Sequence, residues 1–252
     1  MATKNQRKGI SWELVGIVAI LAVLVVGGLF IVFDSTVGPG QAGWVVPTIL
    51  ARDPAMGMDQ PEFSGVDADG RPFLGKADAP AVFYEFADFQ CPHCREYSLF
   101  QGKAIEKDLL ATGKAKLVWV GFPFMDDGSG EQESVNAQMA GQCGAQQGKF
   151  WEVHDWLFTN QSTIANQGHF NKDQLAIVAE KAGLDTALFA TCMEDPKTAE
   201  FVQKDKDFAI EKSVNSTPSF YLAATEKLYE GAGPQELQDL RAALEAQVET
   251  GN

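Results

Sequence analysis

Basic residues are few in this 252-residue chain. There are 20 Lys and Arg against 34 Asp and Glu, a net charge of -14. The cationic surface that a phosphate backbone needs is missing, which excludes nucleic acid as a partner. Cysteine and histidine are scarce too, at four and three. A structural zinc takes four ligands, commonly as two close pairs. Cys91 and Cys94 make one such pair, and Cys143, Cys192, His154 and His169 make no second one. No metal is expected. Internal repeats and low-complexity tracts are absent, which excludes a solenoid or array. What remains is ordinary in bulk, with 45% hydrophobic and 21% charged residues, enough for a proper core.

One run carries no charge. Residues 14–33 are 20 uncharged, mostly apolar residues, about 30 Å as a helix and enough to cross a bilayer core. Lys4, Arg7 and Lys8 precede the run and Asp34 follows it, so the positive-inside rule places residues 1–12 in the cytoplasm. A cleaved signal peptide is the alternative, with Gly40 or Ala42 near its cleavage point. Its apolar region should span only about 7–15 residues. The length predicts a transmembrane anchor over 13–33 and a single-pass protein of the cell membrane, with the rest extracytoplasmic. The exported part carries 17 basic and 33 acidic residues.

Residues 34–71 hold six Gly and four Pro and read as a linker or stalk. Within it, residues 44–50 are too apolar for a simple tether, and either pack on the domain or lie at the membrane interface. Regular periodicity begins near residue 80. The spacing predicts a strand over 81–87, a helix over 92–111 stopped by Gly113, and a strand over 116–120. Residues 130–213 read as helical, with a cap at Asn171 and breaks at Gly168 and Gly183. Two short strands (219–223 and 227–229) and a helix over 234–248 close the chain. The order is βαβ, a helical block, then ββα. The simplest α/β assembly joins residues 72–124 and 213–252 around one sheet and leaves 125–212 as an inserted helical cap.

Cys91-Pro92-His93-Cys94 stands between the first strand and its helix. A cysteine there lies over a helix N-terminus, where free N–H groups and the dipole favour a thiolate. Two thiols at this spacing can close and reopen a disulfide. Glu85 lies six residues before Cys91 inside an apolar strand. A buried carboxyl is costly, which gives it a role as the acceptor and donor of the Cys94 proton. The ring of His93 would stabilise the Cys91 thiolate. A stabilised reduced form makes the disulfide a stronger oxidant, which argues for an oxidase over a reductase. Pro218, after Thr217, opens a strand where proline often marks a tight turn, sometimes cis.

These residues carry a resemblance. Glu85, Asp88-Phe89-Gln90, the Cys91–Cys94 tetrad, Gln147-Gly148-Lys149-Phe150-Trp151 with His154-Asp155, and Ser216-Thr217-Pro218-Ser219-Phe220 resemble the DsbA-like thiol-disulfide oxidoreductases. The resemblance spans about residues 72–248. It implies a thioredoxin-like fold with an inserted helical domain. Cys91 becomes the attacked sulfur, Cys94 its buried partner, Glu85 the proton relay and Pro218 a cis-proline facing the disulfide. Thr217 and Pro92 would contact substrate, Thr217 through its backbone. Members commonly have Gly where this chain has Ser216. In some, a second disulfide occupies the positions of Cys143 and Cys192. No cofactor is implied. The partners would be exported proteins with free or disulfide-bonded cysteines and a quinone-linked membrane protein that reoxidises the enzyme. Two other readings stay open: the same fold run as a reductase or isomerase, and a copper metallochaperone built on the cysteines and His93.

Overall fold

The computed structural model describes residues 43–126, 128 and 132–250. The anchor expected over 13–33 lies outside the described residues, and among those described no helix is long and apolar enough to cross a membrane. The chain divides into two compact units, Met1–Trp44 and Val45–Asn252. The second carries every described element.

Its centre is a β-branched and aromatic strand, β3 (Ala81–Ala87). In parallel with it runs β4 (Ala115–Gly121), with Glu85 opposite Trp119. On the other side β5 (Ser219–Leu222) is antiparallel, with Glu85 opposite Phe220. Among the described residues the sheet is completed by β6 (Lys227–Glu230) on β5, β2 (Pro72–Gly75) on β4, and β1 (Ser64–Val66) on β2, in the order β1-β2-β4-β3-β5-β6.

A parallel pair needs a crossover, and α1, residues 92–110, supplies it. The α-helical turns Pro92–Glu96 and Lys103–Ile105 are each followed by a π-helical segment, Tyr97–Gln101 and Glu106–Leu110. The wider turns show as Gly102 N–H to Tyr97 C=O and Ala111 N–H to Glu106 C=O, both 2.8 Å. Residue 102 has to be glycine here, because a Cβ would stand 2.9 Å from the Tyr97 ring.

The two faces of the sheet differ. On one, Tyr84 and Phe86 pack with Val120, Phe122 and Tyr221 beneath Phe208 and Ala209 of α6 (Pro196–Glu211). On the other, Trp119 stacks on Phe89 at 4.9 Å and meets Phe150 and Phe158 of α3 (Phe150–Thr159). The closing helix α7 (Pro234–Thr250) ties to α1 through Arg241 and Asp108 at 2.8 Å. Among the described residues the remaining α-helices are α2 (Glu133–Gln146), α4 (Lys172–Lys181) and α5 (Thr186–Glu194). Asn171 caps α4 by accepting the Gln174 N–H, and Asp185 and Asp195 do the same for α5 and α6. A disulfide joins Cys143 of α2 to Cys192 of α5 across 49 residues.

Two sequence boundaries move. Residues 45–71 do not form a stalk: β1 lies in the sheet, and Ala51, Met58 and Phe63 are buried. Residues 45–52 run as a strap along α3. The Ala51 N–H donates to both Asp155 oxygens at 3.2 and 3.1 Å, and the Asn160 side-chain amide donates to the Val45 carbonyl at 2.9 Å. The stretch at 45–50 is therefore tied to the domain through these polar bonds, while the Val45 and Val46 side chains stay exposed. At the other boundary, α6 covers the second face of the sheet. The helical block up to residue 212 is thus not all cap, because a sheet with one bare apolar face needs a helix there.

Candidate active site

Local sequence sets the site before any long-range contact does. Apolar β3 ends at Ala87, and the loop Asp88–Gln90 turns the chain. Cys91 is the N-cap of α1, and Pro92 is its first residue, where a missing N–H costs nothing. The side chain of Asp88 accepts N–H bonds from Gln90 (2.8 Å) and Met125 (2.7 Å) and the Ser134 hydroxyl (2.7 Å). Burial still lifts Asp88 to about 6.

Both cysteines are unpaired thiols here, and their environments push them apart. The thiol of Cys91 is drawn down to about 6, first by a hydrogen bond from Cys94, then by the Thr217 hydroxyl and the backbone N–H groups of Cys94 and His93, against burial. Cys94 is fully buried and its thiol is pushed well above the usual range by burial, by Cys91 and by Glu85. One sulfur is thus held as a ready thiolate, its neighbour as a thiol.

Across the sheet edge the Thr217–Pro218 peptide is cis, and the Thr217 carbonyl lies 3.3 Å from the Cys91 sulfur. With Ser216 in place of glycine the turn still closes, and the Ser219 hydroxyl donates to the Ser216 carbonyl at 2.9 Å. Glu85 lies on the α1 side of β3, between Trp119 and Phe220 in register. Burial, with the Glu106 charge adding and Lys103 opposing, lifts it to about 8. Its Oε1 is buried without a hydrogen-bond partner among the described residues. The ring of His93 departs from expectation. Its side chain is 76% exposed, and Nδ1 lies 4.0 Å from Glu96. What reaches the sulfur from position 93 is the backbone N–H, because the first turn of α1 aims its amides at Cys91 while the His93 side chain points outward. Cys143 and Cys192 lie apart from this site, in the disulfide between α2 and α5.

Known proteins place this arrangement. A sequence profile described as Thioredoxin matches residues 67–246. The probable disulfide bond formation protein D of Bacillus cereus is 32% identical over 152 residues, covering 59% of this chain and 68% of that protein. The chain belongs to the DsbA-like thiol-disulfide oxidoreductases of the thioredoxin fold. The Na(+)/H(+) antiporter NhaA 3 of Salinispora tropica is 30% identical over 220 residues, 83% of this chain. This DsbA-like chain spans only 31% of that antiporter, and most of the antiporter has no counterpart here. In fold, BdbD from Bacillus subtilis (oxidised) superposes with a TM-score of 0.62 at 24% identity, over 75% of this chain and all of that one.

Two contributors to the DsbA-like site have no sequence signal. Gln161 donates to the carbonyls of Phe89 (2.8 Å) and Cys91 (2.9 Å). Asn166, at φ 58, donates its N–H to Gln90 Oε1 (2.8 Å) and its side-chain amide to the Met125 carbonyl (2.9 Å). Together they clamp the Cys91 loop from the helical insert. Both are polar loop residues more than 40 positions from their partners. His154 was visible only through the resemblance. It lies among Trp119, Phe150, Trp151 and Phe158. Its Nδ1 bonds Asp155 at 2.9 Å and its Nε2 bonds Ser98 at 3.2 Å, and burial pushes its pKa down against the pull of Asp155.

Proposed function

We propose that this domain is a protein thiol-disulfide oxidoreductase working as a dithiol oxidase outside the cytoplasm, held at the membrane by residues 13–33. The observation that carries the reading is the asymmetry of the pair: Cys91 drawn down to about 6 beside a Cys94 pushed the other way. A stabilised Cys91 thiolate favours the reduced enzyme, and so makes its disulfide a stronger oxidant and Cys91 a better leaving group.

In the proposed cycle, a substrate thiolate attacks Cys91 of the enzyme disulfide. The Cys91–Cys94 bond breaks, and its electron pair leaves on Cys94, which takes a proton from Glu85. A second substrate thiolate then attacks the substrate sulfur, and Cys91 departs as a thiolate. The substrate loses two electrons and two protons, and the enzyme ends reduced. Pro92 and Pro218 would flank the sulfur, and the Thr217 backbone would pair with an extended substrate segment. The backbone N–H of His93, rather than its ring, would steady the thiolate. The substrates would be exported proteins with cysteine thiols. A quinone-linked membrane protein would return the enzyme to its disulfide form.

Equilibration with glutathione buffers tests the direction. A potential near about -120 mV supports the oxidase, and one near about -270 mV makes the domain a reductase. Trapping with Cys94→Ser adds the site: mixed disulfides should accumulate on Cys91, and their absence with protein thiols would remove Cys91 as the attacked sulfur.

A further inference from the structure

Among the buried carboxyl groups this cycle leaves unused, one shares the side of the sheet on which Glu85 lies. Glu106 of α1 is 6% exposed and lies 12 residues beyond Cys94. In an unbroken α-helix, twelve residues at about 100° each would turn it about 120° away from Cys94. The π-helical turn at Tyr97–Gln101 absorbs one extra residue. Eleven effective steps leave Glu106 only about 20° from Cys94. Both then face the side of the sheet where Glu85 lies.

The surroundings of the two carboxyls are limited. The Glu106 charge raises Glu85 and the Lys103 charge lowers it, and Glu85 in turn acts on Cys94 and Tyr97. Around Glu106 stand Lys103 on its own helix, Asp155 of α3 and Asp53 beyond the strap. Lys103 Nζ donates to Glu106 Oε2 at 2.8 Å and to the Leu50 carbonyl at 3.2 Å, and a fifth of its side chain reaches solvent. Glu85 Oε1, by contrast, has no hydrogen-bond partner among the described residues. A group that must gain and lose a proton inside a closed core needs a way out, and Lys103 marks the nearest edge.

We propose that Glu106 and Lys103 are positioning residues that complete the proton route of Cys94, with Glu106 exchanging the proton with Glu85 and Lys103 holding Glu106 at the solvent end. The proposal rests on the thiol-exchange reading above. When the Cys91–Cys94 bond breaks, Cys94 holds the electron pair. The Glu85 carboxyl gives it a proton and becomes a carboxylate. Glu106 returns a proton to Glu85, and water beside Lys103 restores Glu106. Only protons travel this route.

The test uses the full chain and three variants, Glu106→Gln, Lys103→Met and Lys103→Arg. Two readouts are followed against pH: the infrared carboxyl band of Glu85, assigned with Glu85→Gln, and the single-turnover rate of the oxidised chain with a dithiol peptide. Glu106→Gln removes a like charge and shifts the Glu85 titration to lower pH. Lys103→Met removes an opposing charge and shifts it to higher pH. Both slow the turnover by roughly tenfold, Lys103→Arg restores rate and titration, and the Cys91 thiolate absorbance keeps its midpoint. Shifts in the same direction, accompanied by a moved Cys91 midpoint, would mean packing damage and overturn the route. So would a Glu85 band that moves in neither variant. A wild-type chain that transfers no disulfide sinks the exchange reading, while one that reacts alongside variants of equal rate at every pH sinks only the proton route.

Discussion

Cys91 and Thr217, 126 residues apart in the chain, meet with the Cys91 sulfur 3.3 Å from the Thr217 carbonyl oxygen. The contact changes with ionisation. A thiol donates to that carbonyl. A thiolate cannot, and takes its bonds from the N–H groups of α1, with the buried Thr217 hydroxyl, which has no hydrogen-bond partner among the described residues, free to turn toward it. One residue thus serves both states of the sulfur with different atoms.

Thr217→Val separates the two. It removes the hydroxyl and keeps the carbonyl, so the Cys91 midpoint, expected near 6 in the wild type, should rise by about one pH unit. Thiolate absorbance at 240 nm reads it directly. An unmoved midpoint would leave the helix amides as the whole cause.

The same depressed value makes reduced-state stability depend on pH. Below about 6 Cys91 is protonated folded and unfolded alike, and contributes nothing. Between about 6 and the ordinary thiol value of 9 the unfolded chain binds more protons, so stability rises with pH, reaching its full amount above 9. Denaturation midpoints of the reduced chain, less those of Cys91→Ala, should therefore coincide with a rising curve across that window. A flat difference would contradict the low value.

Glu85 carries the opposite sign. Its folded value of about 8 exceeds the ordinary 4.5, so its protonated form costs nothing below about 4.5 and becomes a growing penalty as the pH climbs toward 8. Glu85→Gln should stabilise the chain by an amount on the order of 3 kcal/mol at pH 7, vanishing near pH 4. Urea midpoints at the two pH values check it, and turnover should fall in the same variant.

Opening the Cys143–Cys192 bridge releases a closed loop of 49 residues. Replacing both cysteines by alanine should cost about 4 kcal/mol through the unfolded chain. Because the bridge joins α2 to α5, away from Cys91, the Cys91 midpoint should hold. A shift in that midpoint would show the insert acting on the site through the bridge.

Much of this was legible in the sequence, for reasons tied to particular residues. Ala81–Ala87 and Ala115–Gly121 are long and apolar enough to announce a buried parallel pair, and Asn171, Gly113 and Pro234 mark helix ends. β1 and β2 were hidden because Ser64–Val66 is three residues with a central Gly, and Pro72–Gly75 is bounded by Pro and Gly, the signature of a loop. The cysteines and Glu85 were legible because each residue type is chemically loud in its place. Gln161 and Asn166 were silent, since a polar loop residue looks the same whether it meets water or a carbonyl. His93 misled because residue type does not say which atom faces the sulfur. The π turns of α1 left no trace in the apolar spacing.

The clamp from Gln161 and Asn166 has a consequence for what the cleft can admit. Four hydrogen bonds tie the loop around Cys91 to Gln161 and Asn166 of the insert, and the Asp88–Ser134 bond adds a fifth. Swinging the insert away as a lid would tear the reactive loop with it. The jaw is fixed, so the slack has to come from the visitor. If the exchange reading holds, chains still unfolded at their cysteines would supply it, and finished domains would not.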